Sequence, residues 1–230
     1  MKRITLYATL LLSVIAMAAQ GQNNETFRSR LTTKVDVFSD LWQNTPENVD
    51  VKALNRGVNI ASTYNFPIEN TAMSFDIGLG LGIHNLYHEN TLDKNEEGIM
   101  EFGQIPDELS NGAKVQVENA KLSFTYLDVP MELKLETESN LRVAIGFKAG
   151  MLINSLNKYK GTNFMEDENE MVKIKEKDLS NTNKYRYGPT FRIGYKWINL
   201  FGHYSLSKVF EENQGPEIYP LSIGISIVKF

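Results

Sequence analysis

Tyr185-Arg-Tyr-Gly-Pro-Thr-Phe-Arg-Ile-Gly-Tyr-Lys-Trp197 sets Tyr185, Tyr187, Pro189, Phe191, Ile193, Tyr195 and Trp197 at every odd position. Arg186, Gly188, Thr190, Arg192, Gly194 and Lys196 take every even one. A helix would scatter the bulky residues around its circumference, whereas a strand collects them all on one face. The segment therefore reads as a strand with one apolar, aromatic face and one small or charged face.

The same period recurs on either side of it. Leu141 to Ile153 opposes Leu141, Val143, Ile145, Phe147, Ala149, Met151 and Ile153 to Arg142, Ala144, Gly146, Lys148, Gly150 and Leu152, where only Leu152 breaks the pattern. Met73 to Ile83 opposes Met73, Phe75, Ile77, Leu79, Leu81 and Ile83 to Ser74, Asp76, Gly78, Gly80 and Gly82. Weaker alternation covers Leu31 to Leu41, Val58 to Phe66, Lys121 to Leu135, Leu200 to Val209 and Tyr219 to Phe230. That makes eight strands, an even number as single-chain bacterial membrane barrels require. Val115 to Phe124 is expected to prolong its strand beyond the membrane.

Which face is inside decides the fold class. In a soluble sandwich or lipocalin-type barrel the apolar face is the core, and the solvated face would then be rich in glycine, which weakens a strand. Inverting the assignment accounts for more: apolar residues meet lipid, small residues leave room in a narrow barrel, and charges point into a polar interior. The expectation is an all-β, eight-stranded antiparallel transmembrane barrel with Phe75, Ile77, Val143, Ile145, Phe147, Phe191, Ile193 and Tyr195 facing lipid.

The connections agree with this frame. Trp42–Ala53, Pro67–Ala72, Glu89–Ala120, Thr137–Asn140, Tyr159–Lys184, Ile198–Asn199 and Phe210–Ile218 run long, short, long, short, long, short, medium. Membrane barrels have short periplasmic turns and longer extracellular loops. Amphipathic rings favour the two interfaces. Tyr87, Tyr185, Tyr187 and Tyr219 fall toward the outer rim, and Phe66, Phe75, Trp197 and Phe201 toward the periplasmic rim.

The amino terminus points to export. Lys2 and Arg3 precede an uncharged apolar stretch from Ile4 to Ala19, and Ala16 with Ala18, or Ala19 with Gly21, suit an A-x-A-like cleavage site. Residues 1–21 read as a signal peptide and 22–230 as the barrel domain. The stretch is shorter than the roughly 20 apolar residues of a bilayer span. Zero cysteines exclude disulfides, thiolate metal sites, cysteine nucleophiles and a cysteine-borne lipid anchor. Without Lys2 and Arg3, 22 basic residues face 28 acidic ones, a net charge of about −6, which argues against nucleic acid as a partner.

Tyr126-Leu-Asp-Val-Pro-Met-Glu-Leu-Lys134, a tight turn and Leu141-Arg-Val-Ala-Ile-Gly-Phe-Lys-Ala-Gly150 resemble the PorT-like outer-membrane β-barrel family of Bacteroidetes-type bacteria. The ending Gly215-Pro-Glu-Ile-Tyr-Pro-Leu-Ser-Ile-Gly-Ile-Ser-Ile-Val-Lys-Phe230 is similar as well. The resemblance implies an integral barrel of the Gram-negative outer membrane whose function is largely unassigned, some members being tied to secretion or gliding. It also implies that the terminal Phe230 serves as the signal read by the barrel-insertion machinery.

The chemistry expected of the inward face is structural. Lys34, Asp36, Asp76, Asp128, Glu132, Lys134, Arg142, Lys148, Arg192 and Lys196 carry both signs, and charges in a narrow lumen must pair. Eight strands leave an interior just wide enough for side chains. His84 and His203 fall inward with Ser205 and Ser207, but no motif joins a serine, a base and an orienting carboxylate. His88 borders a loop, and three scattered histidines make no metal-ligand spacing. Gly78, Gly80 and Gly82 lack the Lys-Ser/Thr of a phosphate loop. Glu166, Asp167, Glu168 and Glu170, followed by Lys173, Lys175, Glu176, Lys177 and Asp178, make one loop strongly charged, suited to solvent, a cation, a lipopolysaccharide headgroup or a protein.

The chain is thus expected to be a non-enzymatic structural or interaction barrel without cofactor, metal or open pore. Its partners would be outer-membrane lipid, the insertion machinery and an envelope or extracellular protein engaged by the loops. An outer-membrane lipid-modifying or proteolytic enzyme on the same barrel, and a soluble periplasmic ligand-binding barrel, stay open as alternatives.

Overall fold

The computed structural model describes residues 30–229; residues 1–29, which include the expected signal peptide, and Phe230 lie outside the described residues. Every regular element among the described residues is a strand: β1 (Leu31–Gln43), β2 (Arg56–Pro67), β3 (Met73–His88), β4 (Asn90–Lys94), β5 (Met100–Gln104), β6 (Val117–Glu136), β7 (Leu141–Asn163), β8 (Glu168–Lys177), β9 (Tyr185–Tyr195), β10 (Ile198–Tyr204) and β11 (Tyr219–Lys229).

Eight of them form a ring in the order β1, β2, β3, β6, β7, β9, β10, β11. Antiparallel pairing of β1 with β11, from Thr33 opposite Lys229 to Gln43 opposite Tyr219, brings the last of the eight back to the first. Closure leaves no open edge in the ring. In hydrocarbon an open edge would expose backbone groups costing several kcal/mol each.

The facing follows the alternation. Along β1, Lys34, Asp36, Phe38, Asp40 and Trp42 point inward while Val37 and Leu41 are exposed. Ile145, Phe147, Phe191, Ile193, Tyr195 and Phe75 are all exposed, Ile145 by 58%, and Ile77 and Val143 are half-buried on the same outer surface. Asp40 and Asp76, by contrast, are fully enclosed at 0%. The soluble-barrel arrangement, with Phe191, Ile193 and Ile145 in a dry core, is not what the chain adopts.

The apolar band has the height of a bilayer core. On β3 the outward side chains Met73, Phe75, Ile77, Leu79, Leu81 and Ile83 are unbroken by polar residues. Ten residue steps at ~3.3 Å each, tilted about 40°, rise roughly 25 Å. Above Ile83 the outer face becomes Asn85 and Tyr87.

Several boundaries differ from the sequence expectation. The tight turn falls at Lys196-Trp197, two residues before the expected Ile198-Asn199, because Tyr195 pairs directly with Ile198. Lys196 takes a positive φ of 54° there, stands exposed and lies 5.1 Å from the centroid of its neighbour Tyr195, so it does not belong to the lumen. Asn199 takes an inward place instead, fully buried. Phe201 is also inward, 2% exposed, rather than part of the periplasmic aromatic rim, because it shares the parity of the inward His203 while Leu200 alternates outward. β10 stops at Tyr204 instead of Val209.

The two longest connections are built structure. The one after β3 contains the hairpin of β4 and β5, and β6 begins at Val117. β7 runs on to Asn163 and pairs with β8 beyond the ring. Leu152, the odd residue in the β7 pattern, pairs with Tyr126 beside a register shift and packs against the apolar cluster at the loop end.

A charge on the outer face tests this orientation. Ile145→Arg should lower unfolding stability in lipid vesicles by roughly 2–4 kcal/mol, whereas Leu54→Arg in the β1–β2 connection should stay within about 0.5 kcal/mol. Urea titrations of the folded barrel read both.

Candidate functional site

The interior is layered, ionic toward the short turns and apolar toward the long loops. At the turn end Arg192 on β9 is the hub. Its Nε donates to Glu132 at 2.8 Å, and its Nη1 and Nη2 donate to the two oxygens of Asp36 at 2.6 and 3.0 Å. Nη1 also reaches the Ser226 hydroxyl, and the guanidinium lies over the Phe201 ring, 4.5 Å from its centroid. Lys34 Nζ donates to Asp76 at 3.1 Å and to Glu132 at 2.5 Å. Asn65 donates to the other oxygen of Asp76 at 2.7 Å, and Arg142 Nη2 donates to Glu136 at 2.8 Å. Lys134 sits 3.9 Å from Asp76 and 3.8 Å from Glu136.

A second layer lies nearer mid-barrel. Arg186 binds Asp128 bidentately, Nε to Oδ1 at 3.1 Å and Nη2 to Oδ2 at 2.5 Å. Its Nη1 contacts His84 Nε2, and His84 Nδ1 is 2.8 Å from Asp40 Oδ2. A guanidinium can only donate, so Nε2 must accept and the imidazole proton sits on Nδ1, where it bonds Asp40. Ser222 Oγ donates to the other oxygen of Asp40 at 2.5 Å. The result is one chain from Ser222 through Asp40, His84 and Arg186 to Asp128, with Arg186 stacked 3.9 Å over the Tyr126 ring.

Glycine makes room for it. A Cβ at Gly82 would come within 2.6 Å of Arg186 Nη2 and of Asn59 Oδ1, and one at Gly150 would strike Asp128 Oδ1.

The lumen charges balance. Lys34, Lys134, Arg142, Lys148, Arg186 and Arg192 face Asp36, Asp40, Asp76, Asp128, Glu132 and Glu136, six against six. No counterion is needed to neutralise them. Lys148 Nζ is 3.9 Å from Asp128 and 5.8 Å from the Phe201 ring centroid. With Asn59 and Thr190 it borders a void of about 20 Å³, the size of one water molecule.

Toward the long loops the same inward positions turn apolar. Trp42, Leu86, Leu122, Phe124 and Tyr126 on the barrel strands pack with Val49, Leu92, Met100, Phe102, Leu179, Val209, Phe210 and Ile218 from the connections. All four long connections thus contribute to one core that begins inside the barrel and ends in the loops. Asparagines stitch it from the side: Asn48 to the Phe102 carbonyl at 3.3 Å, Asn90 to that of Asn48 at 3.0 Å, Asn157 to that of Leu92 at 3.1 Å and Asn181 to that of Gly98 at 2.7 Å. The β4–β5 hairpin lies at the centre of these bonds and forms a cap over the mouth.

Of the ten lumen residues expected from sequence, nine are inward and buried, and Lys196 is outside the network as described. Asp40 and Arg186 were missed, although each shares the parity of its strand's other inward charges. His84 is in the second layer. His203 is buried without a side-chain partner, while Ser205 and Ser207 bond each other at 3.0 Å, so no serine–histidine pair forms between them. His88 ends β3 at the border of the connection, as expected, but its ring is turned inward, 1% exposed and packed edge-on against Phe102 at 5.4 Å.

A closed antiparallel ring with an apolar exterior and a charged, self-neutralised interior defines the class of membrane β-barrels. The family described as outer membrane protein beta-barrel domain matches residues 12–210, and the chain belongs to it. No curated protein matches the sequence.

Removing one partner of the second layer should cost more than removing both. Arg186→Leu, which strands Asp128, should destabilise by about 3–5 kcal/mol, and adding Asp128→Leu should recover a large part of that loss. A double-mutant cycle from urea midpoints in vesicles measures the coupling.

Proposed function

We propose that this chain is a PorT-like integral barrel of the bacterial outer membrane, neither enzyme nor open pore, whose outward loops present a fixed surface to a partner protein. The observation that carries the reading is the shared core of the cap. Loops that only need to be soluble have no reason to send Leu92, Met100, Phe102, Leu179, Phe210 and Ile218 into one apolar cluster continuous with the barrel. Burying that surface orders the loops in advance, and a preordered surface loses less entropy when a partner docks.

The absence of a channel is supported by both layers. An ion entering from the loop end would meet the apolar cluster, and one entering from the turn end would meet pairs that span the lumen from β1, β3, β6 and β9. The catalytic alternative finds no support in the serine geometry, since Ser205 and Ser207 are engaged with each other. The signal peptide and the insertion role of Phe230 belong to the same reading: export, then assembly from the periplasm with the short turns left inside.

Planar-bilayer recording and in-cell crosslinking test it together. The purified barrel should give no steady conductance. A photoreactive residue at Met165 or Met171, exposed on the outward β7–β8 hairpin, should yield a discrete protein adduct that one at Phe66, at the turn end, does not. A steady current changed by Lys148→Glu would contradict the closed-lumen reading.

A further inference from the structure

Beyond the ring, β6, β7 and β8 continue as a three-stranded sheet whose outer face is basic. Lys121 on β6 lies directly opposite Lys158 on β7, and Lys158 opposite Lys175 on β8. One pair further up, Lys160 faces Lys173. Toward β2 the row continues through Tyr87, paired with Lys121 and lying between the Arg56 guanidinium at 5.5 Å and the Lys121 ammonium at 5.4 Å. Like charges directly opposite each other on a sheet are destabilising. Lys158 stands in the repulsive field of Lys173, Lys121, Lys175 and Lys160 at once.

Little within the chain offsets that cost. Lys160 pairs with Glu118, and Lys121 donates to the neutral Asn85 side chain at 2.8 Å. Among the described residues no carboxylate forms an ion pair with Lys121, Lys158, Lys173 or Lys175. Of the acidic residues of this hairpin, Glu166, Asp167, Glu168 and Glu170 are gathered at its far tip, where Asn163 holds Glu166 and Glu168 at 2.9 and 3.1 Å, while Glu176, opposite Asn157, alternates onto the other face of the sheet and Asp178 follows the end of β8. The outer face of the hairpin is therefore basic where it leaves the barrel, and the carboxylates of Glu166, Asp167, Glu168 and Glu170 crowd its far end.

The height of the row selects an occupant. Ile83 is the last apolar outward residue on β3, and Tyr87, level with Lys121, is four residues beyond it. At ~3.3 Å per residue and a tilt near 40°, that is roughly 10 Å above the hydrocarbon edge. A simple phospholipid headgroup layer is about 5–8 Å deep, so the row sits at or just past its outer limit. A phosphorylated glycolipid, whose sugars lift phosphate further from the acyl chains, reaches it.

We propose that Arg56, Lys121, Lys158, Lys160, Lys173 and Lys175 form a docking face for the phosphorylated saccharide headgroups of outer-leaflet glycolipid. The proposal rests on the outer-membrane placement with loops outward. Phosphate dianions would neutralise the facing ammonium groups, and Tyr87 would offer its ring edge to sugar.

The full-length barrel, folded in zwitterionic detergent, is titrated with lipid A, with the same lipid stripped of phosphate, with phosphatidylglycerol and with a DNA oligonucleotide, following its thermal unfolding. Lipid A should raise the unfolding temperature in a salt-sensitive manner, and the other three should do little. Lys121→Gln/Lys158→Gln/Lys175→Gln should weaken lipid A binding on the order of tenfold to a hundredfold. The same triple variant without lipid should unfold at an equal or higher temperature, because it relieves the repulsion. The control Lys94→Gln/Lys114→Gln, exposed in the connection between β3 and β6, should bind as the wild type does. Equal stabilisation by phosphate-free lipid, undiminished binding by the first triple variant, or binding of DNA as strong as that of lipid A would overturn the proposal. Failure of this titration leaves the closed barrel and its cap standing, since those are read by conductance and crosslinking.

Discussion

The structure depends on the grip of Arg192 and Arg186 on the carboxylates around the barrel axis. Lipid removes the usual arrangement, in which apolar residues gather inside and charges dissolve outside. Once the bulky side chains face hydrocarbon, the strands' other face has to fill a space a few side chains wide with groups that cannot be left charged and alone. Arg192 answers this by binding Asp36 and Glu132 from β1 and β6 at once. Arg186 does the same one layer up with Asp128 and, through His84, with Asp40. Each guanidinium is a planar fork that matches carboxylate geometry, a match a lysine ammonium lacks. The lysines occupy looser places, as Lys148 does at 3.9 Å from Asp128.

The balance of six basic and six acidic groups explains why the interior tolerates so much charge. Buried pairs contribute little net stability against well-packed apolar residues, but stranding one member is costly. What such a network provides is register. A strand slipped by one residue would turn Asp36, Asp128 or Arg192 toward lipid, so the ionic interior penalises misregister as strongly as a dry core does in a soluble protein. Toward the loops the constraint relaxes and the inward face becomes Trp42, Phe124 and Tyr126, which pack with the cap. Ionic order below and apolar order above thus hold one cylinder and give its loops a fixed base.

Much of this was legible in the sequence, for a physical reason: a lipid-facing strand has to alternate, and alternation in Tyr185–Trp197, Leu141–Ile153 and Met73–Ile83 carries facing, strand number and loop pattern together. The turn at Lys196-Trp197 was not legible, because neither Lys-Trp nor Ile-Asn is a dipeptide with a strong turn preference. A two-residue shift there moved Lys196 out of the lumen, and Phe201, whose parity had not been followed, proved to point inward. The cap was hidden too. Leu92, Met100 and Phe102 lie in short strands whose packing is set by distant residues such as Phe210 and Ile218, and no local period announces such contacts. Asp40 and Arg186 could have been found by extending the parity of Asp36 and Arg192 along the same strands.

The measurement closest to the central claim is a nitroxide accessibility scan. The native chain has no cysteine, so single cysteines for labelling can be placed one at a time along β9 and β11 without competing thiols. In vesicles the account predicts a strict period of two: labels at Phe191, Ile193, Ile223 and Ile225 collide readily with dissolved oxygen in the bilayer, and labels at Thr190, Arg192, Ser222 and Ser226 are shielded from it. The reverse phase, with the even positions meeting lipid oxygen, would contradict it.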